Sequence, residues 1–121
     1  MVKSYKELVV WQKSIKLVGE IYSLTNCFPD VEKYGLSNQM RRCAVSIPSN
    51  IAEGFYRKTK KDFLRFILIA FGSGAELETQ IIIAKDLKYG STEKYLNIEG
   101  LLEEIMKMLN KLSGVLKISE K

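Results

Sequence analysis

The chain has 121 residues, 46% of them hydrophobic and 27% charged, with a formal net charge of +5. That is the length of one domain, residues 1–121, able to bury roughly two-thirds of its unfolded surface, and two prolines and eight glycines exclude a linker-rich or collagen-like chain. There is no histidine, which removes the commonest general base and the commonest metal ligand together.

Apolar residues recur at helical spacing almost throughout, and no segment alternates with period two for long. A first helix carries Leu8, Trp11, Ile15, Val18 and Tyr22 on one stripe and Val10, Leu17, Ile21 and Leu24 on another. Pro29 ends it, and Asp30 and Glu32 put negative charge where the next helix is expected to start. The second helix places Leu36, Met40, Cys43, Ile47 and Ile51 on one face. Pro48 inside it removes one backbone hydrogen bond, so a kinked but continuous helix is expected, ending near Gly54, with Ser46, Ser49 and Asn50 able to re-satisfy the freed groups.

Thr59 followed by Asp62 is a capping-box pattern that starts a third helix over Lys60 to Lys88. Its stripes are Phe63, Phe66, Ala70, Ser73, Leu77, Ile81 and Ala84, beside Leu64, Leu68, Phe71, Ala75 and Ile82. Gly72-Ser73-Gly74 in its middle costs about 1 kcal/mol per glycine, which points to close approach of another backbone. Gly90-Ser91-Thr92 makes the turn to a fourth helix defined by Ile98, Leu101, Ile105, Met108, Leu112 and Leu116. Four amphipathic helices with short connections predict an all-α, antiparallel up-down four-helix bundle. The surplus stripes are either a wide core contact in a monomer or the material of a subunit interface.

All the excess charge is local. Between Arg41 and Arg65 lie Arg41, Arg42, Arg57, Lys58, Lys60, Lys61 and Arg65, opposed only by Glu53 and Asp62; the remaining 12 basic and 12 acidic residues cancel. Lys60 and Lys61 fall in the first turn of the third helix, where the helix dipole disfavours cations by about 0.3–1 kcal/mol each. Basic groups kept at an unfavourable terminus suggest phosphate contact, and Phe55 and Tyr56 beside them could stack on an unpaired base or close the end of the bundle. The bland alternative is a solvated surface, with Arg42 paired to a carboxylate of a neighbouring helix.

Catalytic chemistry has little to stand on. Glu76 and Glu78 point to different helix faces, as do Glu103 and Glu104. Glu53 and Glu76 sit amid apolar and small residues, either as buried partners for Arg42 or Arg57 or, less in keeping with the rest, as acid/base groups. Cys27 and Cys43 lack metal-ligand spacing, so a zinc site would have to be shared between chains; a single disulfide is open on paper, but they read as buried free thiols, and no metal and no cofactor are expected. The apolar stretch Leu8 to Trp11 is too short for a signal peptide, and the longest uncharged run, Phe66 to Ala75, is about half a membrane span. A cytoplasmic, non-enzymatic protein with no membrane partner is expected.

The residues Val10-Trp11-Gln12, Phe28-Pro29, Tyr34-Gly35-Leu36, Gln39-Met40-Arg41-Arg42, Ser46-Ile47-Pro48-Ser49-Asn50-Ile51-Ala52-Glu53-Gly54, Ala70-Phe71-Gly72-Ser73 and Glu76-Leu77-Glu78-Thr79 resemble the bacterial four-helix-bundle family of proteins encoded in intervening sequences of 23S ribosomal RNA genes. The resemblance implies a closed ring of subunits, a homopentamer. It also implies kinship with the accessory protein of diversity-generating retroelements, which binds nucleic acid and a reverse transcriptase. Arg41, Arg42 and Arg57 fall on basic positions of the family motif, whereas Lys58, Lys60 and Lys61 lie in a looser turn and rest on charge alone. The expected function is nucleic-acid binding by a homo-oligomer, RNA favoured over DNA, through phosphate contacts. The alternative is a scaffold or adaptor ring for a protein partner such as a polymerase or reverse transcriptase.

Overall fold

The structure, a computed structural model, describes residues 1–119. Among them are four long helices and no strand: α1 Val9–Thr25, α2 Leu36–Phe55, α3 Lys60–Asp86 and α4 Thr92–Ser119. Each helix packs on its neighbours in sequence, and α1 closes the square by packing on α4, so the diagonal pairs α1/α3 and α2/α4 stay apart. Residues 120–121 of the expected domain lie outside the described residues.

The helix ends follow the local chemistry, with one correction. Asp30 and Glu32 do not begin α2; they form a separate 3-10 turn, Asp30–Glu32, and α2 starts at Leu36. Glu32 still serves that start from a distance, because one carboxylate oxygen accepts from the Leu36 amide at 3.2 Å and the other from the Tyr89 hydroxyl at 3.0 Å. The hydrogen bond to that carboxylate, more than burial, pushes the Tyr89 pKa upward. Thr59 caps α3 by accepting from the Asp62 amide at 3.1 Å. α3 stops at Asp86, slightly short of Lys88, because Lys88 and Gly90 turn to φ values of 61° and 79° and reverse the chain.

α2 runs through Pro48 as a single helix to Phe55. Around the proline, the Asn50 amide donates to the Ser46 carbonyl at 2.8 Å and to its hydroxyl at 2.9 Å, and that hydroxyl meets the Ser73 hydroxyl of α3 at 2.8 Å. Ser46, Asn50 and Ser73 therefore tie α2 to α3; among the described residues no side-chain hydrogen bond reaches the Ala44 carbonyl that Pro48 frees, and Ser49 makes none. Gly72-Ser73-Gly74 does not bring another backbone close as expected: an added Cβ at Gly74 would run into the Met106 side chain of α4, and Gly72 opens onto nothing within 4 Å. Helix backbone comes closest at Gly54, where a Cβ would stand 2.7 Å from the Phe66 Cβ and 3.3 Å from the Phe63 carbonyl oxygen.

Of the two apolar stripes on α1, the core takes Val10, Leu17, Ile21 and Leu24, all buried. The other stripe divides: Leu8, Trp11 and Val18 pack against the core edge, and Ile15 and Tyr22 remain 46% and 41% exposed. α3 buries Phe66, Ala70, Leu77, Ile81 and Ala84 and leaves Leu68 and Ile82 45% and 59% exposed. By length and composition alone α3 would suffice to cross a membrane, since an 18-residue window reaches a mean hydropathy of 1.5 although charged residues interrupt it; 39% of that window is buried in the bundle. The surplus apolar surface is real and points outward.

Candidate nucleic-acid interface

The turn from α2 to α3 forms one end of the bundle. The Thr59 cap sets Lys60 and Lys61 in the first turn of α3, and Lys58 precedes it; all three are exposed, and none has an ion pair or side-chain hydrogen bond among the described residues. Two guanidinium groups converge beside them. Arg57 lies 4.6 Å and Arg65 5.0 Å from the centroid of the same ring, that of Phe66. Arg57 also pairs with Glu53 at 2.7 Å, so the expected partnership of these two holds, but it lies at the surface with both side chains about half exposed and is worth a few tenths of a kcal/mol. Both guanidiniums lie against the ring of Phe66, which is itself buried.

The N-terminal segment joins this end, which the sequence reading missed. Tyr5 stands edge-on to Tyr56 at 5.6 Å and to Trp11 at 5.2 Å, and Phe55 meets both Tyr56 and Phe63 edge-on. Tyr56 remains 65% exposed. The contact brings Lys6, 6.0 Å from the Tyr5 ring, to the same end of the bundle. The missed signal was Ser4-x-x-Glu7: the Ser4 hydroxyl accepts from Lys6, and the Glu7 carboxylate accepts from Ser4 at 3.0 Å, a capping box that orders Tyr5–Glu7.

Arg41 and Arg42 are not part of this cluster. They lie about 21 Å back along α2 from Phe55, at ~1.5 Å per residue, so the seven basic residues form two sites and not one patch. Arg41 is half-buried and committed: its Nε donates to Thr25 Oγ1 and its Nη2 to Asn26 Oδ1, both at 2.8 Å, and its guanidinium lies 4.7 Å from the Tyr22 ring. It holds the C-terminal end of α1, where a cation also suits the helix dipole. Arg42 is exposed with no ion pair, not joined to a neighbouring helix.

The remaining reactive groups are dispersed. Cys43 is buried as expected, and burial, with the Glu76 carboxylate beside it, pushes its pKa from 9.0 up to about 11. Cys27 is exposed, contrary to expectation, with the Lys94 ammonium 3.5 Å from its sulfur. Glu76 is exposed and not paired with Arg42 or Arg57; Gln80 beside Cys43 keeps a buried, unpartnered side-chain oxygen. Among the described residues no three His, Cys, Asp or Glu side chains cluster as metal ligands.

Fold and surface together define a four-helix-bundle protein with a cationic, aromatic-backed end. Residues 6–111 match the family described as 23S rRNA-intervening sequence protein, and the chain belongs to that family. It is also similar to a crystal structure described as a protein with unknown function from the S23 ribosomal protein family of Bacteroides thetaiotaomicron, with a TM-score of 0.80 and 27% identity over 87% of this chain and 98% of that one. Comparison with curated proteins finds no match. Neither description carries a catalytic assignment.

Proposed function

We propose that this protein is a non-enzymatic, homo-oligomeric nucleic-acid-binding bundle whose α2–α3 end grips phosphates, with structured RNA as its first ligand and a pentameric ring as its assembly. The observation that carries the reading is the convergence of Arg57 and Arg65 on Phe66 beside Lys58, Lys60 and Lys61, three cations with no acidic partner. Side chains held in this way contact backbone phosphates and give affinity without sequence readout. Lys6 and the exposed face of Tyr56 extend the same end and offer a stacking platform for an unpaired base. The family description, tied to a 23S rRNA intervening sequence, favours RNA over DNA. Arg41 acts as an internal clasp in this reading, and Arg42 stands outside the grip.

The test is fluorescence anisotropy with a labelled structured RNA and a matched DNA duplex at low and moderate salt. Wild-type affinity should fall steeply with salt. Lys60→Gln with Lys61→Gln should lower the salt slope by up to about 2, two phosphates' worth, while helical circular dichroism is unchanged. An unchanged slope removes the two lysines from the site, and no binding at low salt overturns the proposal.

A second reading, a scaffold or adaptor ring for a protein such as a polymerase, is supported by the exposed apolar residues of α1 and α3. A captured protein that survives nuclease treatment would favour it.

A further inference from the structure

Two seams of the bundle carry uncovered apolar surface, and the helix order puts them on opposite sides. Because α1 touches α2 and α4 but not α3, the α1/α2 seam is diametrically opposed to the α3/α4 seam. An open groove along α2 beside α1 is lined by Tyr22, Asn38, Arg41, Arg42, Val45 and Ser46, with Tyr22 and Val45 41% and 40% exposed. The groove between α3 and α4 is lined by Ala75, Glu78, Ile82, Glu99 and Glu103 among others, with Ile82 59% exposed. Their charges are opposite: two guanidiniums and no carboxylate line the first, three carboxylates and no cation line the second. Within each groove some of the charge is already used. Arg41 is held by Thr25 and Asn26, while Glu99 pairs with Lys85 at 3.0 Å and Glu103 with Lys107 at 3.1 Å from the rims. Arg42 and Glu78 are left over, one unpaired charge on each side.

The two grooves also lie at the same height. The Ser46–Ser73 hydrogen bond of 2.8 Å sets the register of α2 against α3. In antiparallel helices, Arg42, four residues before Ser46, is therefore level with Leu77–Glu78, and Val45 is level with Gly74–Ala75.

We infer that the α1/α2 groove of one subunit docks on the α3/α4 groove of a second copy of this chain, with Arg42 opposite Glu78 and Tyr22 and Val45 against Ala75 and Ile82. The inference rests on the self-association proposed above and assigns its surfaces. Opposite seams make the contact heterologous, and equal heights mean that successive copies join side by side with no rise along the bundle axis. Contact of like faces would set Arg42 against Arg42 and Glu78 against Glu78. The pairing also removes Arg42 from the nucleic-acid site and leaves the α2–α3 ends of all subunits gathered on one side of the assembly.

The experiment is sedimentation velocity on wild type, Val45→Asp, Ile82→Asp, and an equimolar mixture of the two variants. Both sites are already substantially exposed, and helical circular dichroism checks that each variant is folded. Wild type should be an oligomer. Each variant alone should fall to the monomer mass of 13.8 kDa, and the mixture should form a species of twice that mass, because each variant keeps the face that the other has lost. Arg42→Glu or Glu78→Arg should weaken assembly about ten-fold, and the two together in one chain should restore it. Loss of assembly in only one of the two aspartate variants, or no recovery on mixing, overturns head-to-tail pairing. An oligomer that neither variant disturbs overturns this assignment alone, and a wild-type monomer at the highest soluble concentration overturns self-association with it.

Discussion

Arg41 shows how a residue's chemistry depends on where its fork lands. Its five donors suit phosphate, but two of them are directed at Thr25 and Asn26 at 2.8 Å, so its charge serves the end of α1. Arg41→Ala should cost about 1.5–3 kcal/mol in urea unfolding, since hydrogen bonds from a charged group are lost. Arg41→Lys should recover less than half of that, because a single ammonium cannot reach both acceptors. The two cysteines differ in the same positional way. Titration with a thiol reagent at pH 8 should modify exposed Cys27 in the native protein and spare Cys43, and modify both after denaturation. The Cys43 thiol is neutral in the fold up to about pH 11, against 9.0 for an ordinary thiol. Its stabilising contribution is therefore complete below pH 9 and lost as pH rises towards 11. Tyr95, pushed up to about 12 by burial and then by Glu99, extends the loss upward. Thermal melts should show stability falling over that alkaline range, and less steeply in Cys43→Ala.

At the level of the element, helix starts and stops were read where a side chain acts on its own helix and misread where it acts across a gap. Thr59 caps α3 from the adjoining position, so its role is visible in four consecutive residues. Glu32 caps α2 from a separate 3-10 turn while also holding Tyr89, 57 residues away, and no local pattern encodes that. Glycine gives a sharper contrast. Gly19 on α1 faces nothing within 4 Å, so Gly19→Ala should raise stability by about 0.5–1 kcal/mol through helix propensity. Gly54 faces the Phe66 Cβ and the Phe63 carbonyl, neither of which can swing aside, so Gly54→Ala should destabilise despite the same propensity gain. Denaturant midpoints of the two variants, moving in opposite directions, would check the packing of α2 on α3.

For the whole molecule, function turns on how charge and apolar surface are distributed over the bundle. The cations of the α2–α3 turn share an end with Tyr5, Lys6 and Tyr56, and the proposed salt-dependent grip on RNA belongs to that end as a unit. Deleting residues 1–7 should therefore weaken RNA binding several-fold and reduce the salt slope by about 1, the share of one lysine–phosphate contact, without unfolding the bundle. Anisotropy on the truncated chain measures it. The grooves that we assign to a second copy lie along the sides, so binding at the end and assembly at the flanks need not compete.

The period of 3.6 and the turn residues by themselves determined the number of helices, their order and most of the core, because burying one stripe per helix is a local demand that each segment must meet alone. The family motif and the basic window were likewise in plain view as consecutive residues. Which α1 stripe enters the core, and that Ile15 and Tyr22 do not, was decided only when α2 and α4 packed on either side. Seven basic residues within 25 positions of sequence became two sites because a helix carries its residues ~1.5 Å apart along a rigid axis. Tyr5 reached Tyr56, 51 positions on, because the bundle returns distant segments to one end. Spacing along the chain decides what a helix is; only the packing of helices decides what each charge is next to.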